Sequence, residues 1–280
     1  MPDGFTLAVF AAKLCVLAAA LMSAGLGWAI ALGGDLARRV RPNVVVGSAL
    51  AAALCYAILL LTMNAQLGGA WASALDPMTF GWIWPGRQAQ VLVLSLGLVA
   101  AVAASLAKLG LLGLAAALLI AASFSLSGHA AGLEDGLSAQ IGVAIHGLAA
   151  SFWFIAPLLL WPRGVGDGSD ASAVSRFSEA AVWMVPMVFA AGGYLAWRLA
   201  GGLTELFTTP YGQLLTAKFA VALVALALGA VNKQLVSRIL AADLPRGRRL
   251  LQITLSADTV LFFTALALVT WATTVSGPAS

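Results

Sequence analysis

The feature that most constrains this chain is the run structure of its apolar residues. Eight stretches long enough to cross a bilayer follow one another with only short breaks between them. A hydrocarbon core of about 30 Å needs roughly 20 mostly apolar residues in helical conformation to span it. The runs are about 5–33, 43–68, 88–107, 109–130, 138–162, 175–200, 212–236 and 250–275. The breaks carry charge or turn chemistry, as in Arg38-Arg39-Val40-Arg41-Pro42, Trp84-Pro85-Gly86-Arg87, Gly132-Leu133-Glu134-Asp135-Gly136 and Gly201-Gly202. Ala107-Lys108-Leu109-Gly110 is the shortest, and without a turn there the third and fourth runs would make one helix too long for any bilayer.

Only 9% of the 280 residues are charged, against about 25% in a soluble domain, so a water-facing surface is excluded. The fold class expected is an all-α integral membrane protein, an eight-helix bundle forming a single polytopic domain over residues 1–280. A net charge of +4 spread over such a chain is no footprint for nucleic acid. The first run starts Met1-Pro2-Asp3-Gly4 without a basic segment and is too long for a signal peptide, so it reads as a retained helix.

The Lys/Arg bias sets the expected orientation. With the N-terminus outside, eleven basic residues (Arg38, Arg39, Arg41, Lys108, Arg163, Arg176, Lys233, Arg238, Arg246, Arg248, Arg249) fall on the inner side. Four, Lys13, Arg87, Arg198 and Lys218, fall on the outer half. Both termini are then extracytoplasmic. Trp71, Trp82, Trp84, Trp197 and Trp271 read as outer interfacial anchors, and Trp28 and Trp161 as inner ones. The abundance of Ala and Gly suits close helix packing in lipid.

Few ionisable groups lie inside the runs: Lys13, His146, Lys218 and Asp258, with His129 and Glu179 near ends. Each is costly in hydrocarbon unless partnered, which makes it a candidate for function. The chain's two histidines fall toward the outer end of one helical hairpin. Neighbouring helices pack about 8–10 Å apart, close enough for two imidazoles to share an ion. Imidazole suits copper and zinc, and sulfur suits Cu(I), so the candidate metal set is His129 and His146 with Cys15 and Met63. Met78, Asn64 and Gln66 add polarity at the same end. The plainer alternatives are interhelical hydrogen bonding for His146, helix capping for His129, and core filling for the sulfurs.

Lys13, Lys218 and Asp258 are candidates for a buried polar relay. Lys218 can also extend its ammonium to the outer headgroups. By rise alone Asp258 sits about 6 Å in depth from Lys13, so pairing with Lys13 or Lys218 is one expectation. Bonding to nearby Thr and Ser, or carrying a proton, is the other. Soluble-enzyme motifs (P-loop, CxxC, HExxH) are absent from the sequence, and no enzymatic activity is expected.

The C-terminal residues carry a resemblance. Arg176-Phe177-Ser178, Thr209-Pro210-Tyr211-Gly212-Gln213-Leu214-Leu215 running to Lys218, and Ala230-Val231-Asn232-Lys233 resemble the copper resistance protein D (CopD) family. The likeness continues through Arg246–Arg249 to Ser276-Gly277-Pro278. Upstream, Ser127-Gly128-His129-Ala130, then His146 and Trp153, resemble that family's S-G-H-A and H-x6-W elements. Together these cover about residues 125–280. The resemblance implies an inner-membrane protein that handles periplasmic copper, with His129 and His146 contacting the metal. It also implies copper, as Cu(I) or Cu(II), for cargo and a periplasmic CopC-type copper-binding protein as partner. Two departures stand out. Trp153-Phe154-Ile155-Ala156 replaces the family's W-x-G-G, and Asp258 stands where the family tends to have Glu. Copper import or transport is the leading expectation. Copper delivery to cuproenzymes without transport, and a haem-b cytochrome with histidine axial ligands, are the alternatives.

Overall fold

A computed structural model describes residues 2–128, 136–162 and 169–276, and among them every regular element is helical. The principal helices are α1 (Gly4–Leu32), α2 (Pro42–Gly68), α3 (Gln88–Ala107), α4 (Gly110–Ser123), α5 (Gly136–Phe154), α6 (Ser169–Ala200), α7 (Pro210–Val231) and α8 (Leu244–Trp271). Seven of the eight are long and apolar enough to cross a membrane by length and composition, and the fourth, Gly110–Leu126, is shorter. The all-α bundle expected from the run pattern is what the chain forms.

Local chemistry explains the breaks. Lys108 ends α3 at φ 55°, the left-handed conformation that stops a helix, and lets α4 start two residues later. Pro42 and Pro210 occupy first helical positions, where the missing N–H is no loss. Asp3 and Asp243 accept from the amides of Thr6 and Arg246, capping α1 and α8. Asn64, fully buried near the end of α2, donates its amide to the carbonyls of Ser73, Ala74 and Asp76. That polar residue therefore holds the following loop rather than lining a cavity.

α1 is the central helix, packing against α2, α3, α4, α5 and α8. Without a hydrophobic force between helices in lipid, close van der Waals approach must hold them. At the α1–α4 crossing Gly27 and Gly113 face each other, and a Cβ on either would stand 2.6 Å from the other's carbonyl oxygen. Trp28 departs from the expected interfacial role: its indole donates to the Leu148 carbonyl at 3.0 Å and its ring meets Phe152 edge-on. The indole is a packing group between α1 and α5. Trp71, Trp82 and Trp161 are exposed, as anchors should be.

The second half of the chain closes a ring, in which α5 packs on α6, α6 on α7, α7 on α8, and α8 on α1. At the end of α1, Arg176 of α6 donates to the Leu32 carbonyl at 3.3 Å, capping the helix. Next to it Phe177 stacks on Phe152, with ring centroids 4.3 Å apart. Asp35, in the short helix Gly34–Arg39, accepts from Ser172 of α6 and pairs with Arg38. The Ser172 bond first, and then Arg38, hold the Asp35 carboxyl below the usual carboxylate range. A depressed folded value means the contribution is present above the unfolded value of about 3.9 and lost as pH falls through the folded one. Thermal scans from about pH 6 down to about pH 3 should therefore show a steeper loss for the wild type than for Asp35→Asn. Equal slopes would show that the contact contributes nothing.

Candidate functional site

His146 lies in α5, and its imidazole is held against α6. Nδ1 stands 3.0 Å from the Val188 carbonyl oxygen. A carbonyl can only accept, so Nδ1 carries the proton and, in the neutral ring, Nε2 keeps its lone pair. Room for the ring comes from Gly192, where a Cβ would stand 3.0 Å from Cε1 and 3.1 Å from Nδ1. This is the support that ligating histidines characteristically have: one nitrogen is tied to a backbone carbonyl and the other presented to a ligand. Lys218 of α7 is close enough for its charge to act on the imidazole.

Two turns farther along α5, on the same face, stands Trp153. Its ring meets Phe189 of α6 at 6.5 Å and Phe262 of α8 at 6.0 Å, both edge-on. A Cβ at Gly229 of α7 would lie 3.8 Å from its Cζ2. Phe189 in turn meets Phe219, the neighbour of Lys218, at 5.5 Å. Trp153, Phe189, Phe219 and Phe262 thus form an aromatic layer across α5–α8, next to His146 and Lys218. The spacing of His146 and Trp153 signals their common face. The partners of Trp153 carry no local signal in the sequence.

Asp258 of α8 is one turn from Phe262, on the side away from the end of the helix that carries Thr273. It is only 3% exposed, and its Oδ1 has no hydrogen-bond partner among the described residues. The expected pairing with Lys13 does not form. Lys13 donates to Thr273 at 2.7 Å, and Thr273 lies fifteen residues beyond Asp258 along α8, roughly 22 Å of helix. Lys13 instead joins α1 to the π-helical turn Ala272–Ser276.

The other candidates are dispersed. Met63 packs against the core shared by α1, α2 and α3, which includes Val9, Tyr56 and Leu94. Cys15 is exposed on α1, and Cys55 on α2 is half-buried. His129 lies outside the described residues. Among the described residues no group of three or more His, Cys, Asp or Glu is placed to hold a metal ion. Near the segment that leads to His129, Arg87 donates to Gln90 at 3.1 Å and to Ser127 at 3.0 Å, and Tyr56 donates to Gln90 at 2.7 Å.

A family model, copper resistance protein D, matches residues 171–272. Over that segment the chain is similar to the CopD family. The match links this membrane segment to copper resistance, and it spans α6, α7 and α8, with Lys218 and Asp258 inside it. His129, His146, Cys15, Met63 and Lys13 lie before it. No curated protein and no solved structure shows significant similarity to the chain.

Within the CopD segment most of the recognisable residues hold the fold. Arg176 caps α1 and Phe177 fills the core, as described above. Thr209 accepts from the Gly212 amide at 3.0 Å and starts α7, and Tyr211 is buried with Leu215 and Ala272. Asn232 and Lys233 open the π-helical turn Asn232–Val236. Lys218 and Asp258 are the CopD-segment residues with chemistry left over after these structural roles.

Proposed function

We propose that this CopD-family protein takes up copper on the outer half of the bundle and passes it across the bacterial inner membrane, contributing to copper homeostasis. The single observation that carries the reading is the Nδ1 bond of His146 to the Val188 carbonyl, which leaves Nε2 as a free soft-metal donor inside the α5–α8 ring. His129 is the second imidazole in this reading, and both termini face the periplasm. Eleven basic residues against four favour that orientation. A periplasmic CopC-type protein is the donor that family resemblance suggests.

The neighbouring Lys218 charge suits passage rather than storage, since a conducting site must bind well enough to admit an ion and weakly enough to release it. Beyond the aromatic layer, Asp258 is the next ionisable group on α8 and serves as the inner station of the relay. Lys13, committed to Thr273, is the outer one.

The test is copper content and copper uptake measured on the same preparations. Purified His146→Ala should retain its helical signal and lose at least about tenfold in copper affinity, in line with loss of a metal-supporting group. Unchanged metal content by mass spectrometry would overturn the His146 assignment. Proteoliposomes should accumulate copper with wild type and not with His146→Ala. Binding without accumulation would replace transport with delivery, and a Soret band in purified protein would replace copper with haem.

A further inference from the structure

The end of the bundle opposite both termini carries a cluster of cations. Lys13, early in α1, bonds to Thr273, just past the end of α8, so the two termini share one end and the α7–α8 hairpin lies at the other. Residues 233–249 of that hairpin contain Lys233, Arg238, Arg246, Arg248 and Arg249 against a single carboxylate, Asp243. Asp243 is committed to the start of α8, accepting from the Arg246 amide at 3.1 Å. Lys233, Arg238, Arg246 and Arg249 are exposed, and among the described residues none of these four pairs with a carboxylate.

Helix length places these charges at the edge of the membrane. Pro210–Val231, whose only charge is Lys218, is 22 residues or about 33 Å long, enough to cross a core of about 30 Å. The helix then continues to Leu240, and from position 250 to the end of α8 only Asp258 is charged. By rise, Lys233 and Arg249 stand within about 3 Å of the core's edge, and Arg238 and Arg246 within about 10 Å. Gly247 is seated against the backbone of Leu240, where a Cβ would clash, so the two arms of the hairpin touch. Positions 238 and 249 are each two residues from that contact, turned about 200° away from it, and face outward. Leu235 and Leu244, 55% and 39% exposed, lie among the cations. Exposed leucine beside exposed arginine suits the boundary where acyl chains meet headgroups.

We propose that the α7–α8 hairpin binds anionic phospholipid, with Lys233, Arg238, Arg246 and Arg249 holding the headgroup phosphates. Clusters of Lys and Arg just outside a membrane helix attract such lipids, each cation raising affinity about fivefold. An acidic soluble protein would approach from beyond the headgroups, whereas Lys233 and Arg249 stand at the core's edge, where lipid phosphates are the nearest anions. No copper chemistry enters, so lipid binding here is independent of metal binding at His146.

The full chain, purified in a neutral detergent, is titrated with fluorescent phosphatidylglycerol and, in parallel, with fluorescent phosphatidylcholine. Phosphatidylglycerol should bind more tightly, in wild type and in His146→Ala alike, and the preference should fade between about 0.15 M and 1 M salt as screening shortens from about 8 Å to about 3 Å. Arg246→Gln and Arg249→Gln should each weaken phosphatidylglycerol binding about fivefold, whereas Arg246→Lys and Arg249→Lys, which keep the charge, should restore most of it. Circular dichroism checks that the variants stay helical. Lys108→Gln, at the exposed turn after α3, should change little. Equal affinity for the two lipids, unchanged binding in both glutamine variants, or an equal loss in Lys108→Gln overturns the proposal. Retention of a polyglutamate peptide without any lipid preference would assign the hairpin to an acidic protein and overturn it as well.

Discussion

Gly27→Leu and Gly113→Leu should each disrupt the bundle. At both positions a side chain would begin 2.6 Å from the partner glycine's carbonyl oxygen, a backbone atom that cannot turn aside as a side chain can. Two central helices would have to separate along their length, and α1 contacts five of the other helices. Overpacking a well-filled core commonly destabilises by about 1–3 kcal/mol, and here the rigid neighbour places the expected loss at about 3 kcal/mol or more. Unfolding curves, or monodispersity after heating in detergent, provide the measurement. Gly47→Leu is the control, because a Cβ there meets nothing within 4 Å and the residue is exposed. If the variants at 27 and 47 behave alike, close backbone approach is not what holds α1 to α4.

Asp258→Leu should do the opposite for stability and abolish passage of copper. Leucine has the same branching as aspartate, so it fills the site with little rearrangement, and it removes a buried oxygen without a partner. An orphaned buried polar group destabilises by about 1–3 kcal/mol, more when charged, and that much should be regained. Asp258→Asn keeps the shape and the polarity and should leave stability nearly unchanged. The pair separates function from packing: a residue retained for structure loses stability on replacement, whereas one retained for chemistry gains it. A lower unfolding midpoint for Asp258→Leu would mean that the carboxyl has a partner in the folded protein. Undiminished copper uptake in that variant would remove Asp258 from the relay.

The individual helices were legible because each must hide its own backbone from lipid, so length and hydropathy are local properties of each run. The break at Lys108 and the caps at Asp3, Thr209 and Asp243 belong to the same class, since a cap bonds within a few residues of itself. The candidate site was legible only in part. His146 was identifiable as a rare ionisable group in an apolar run, but Val188 and Gly192, which orient it, are forty or more residues away and ordinary in their own context. Arg176-Phe177 was recognisable as a family signature. Its physical reason, a cap on α1 and a stack on Phe152, required the tertiary contact.

Relative register marks the boundary between the two kinds of knowledge. Counting rise from the edges of the runs put Lys13 within reach of Asp258, but the fold gives Lys13 to Thr273. Interhelical shifts of a few residues leave each helix's hydropathy intact, so the apolar pattern places no constraint on them. They are set by where small residues let backbones touch, as at Gly27 and Gly113, and by single polar bonds across seams. The eight apolar runs and the membrane class they imply were written in local composition. The pairing of side chains in the interior followed from the packing between helices.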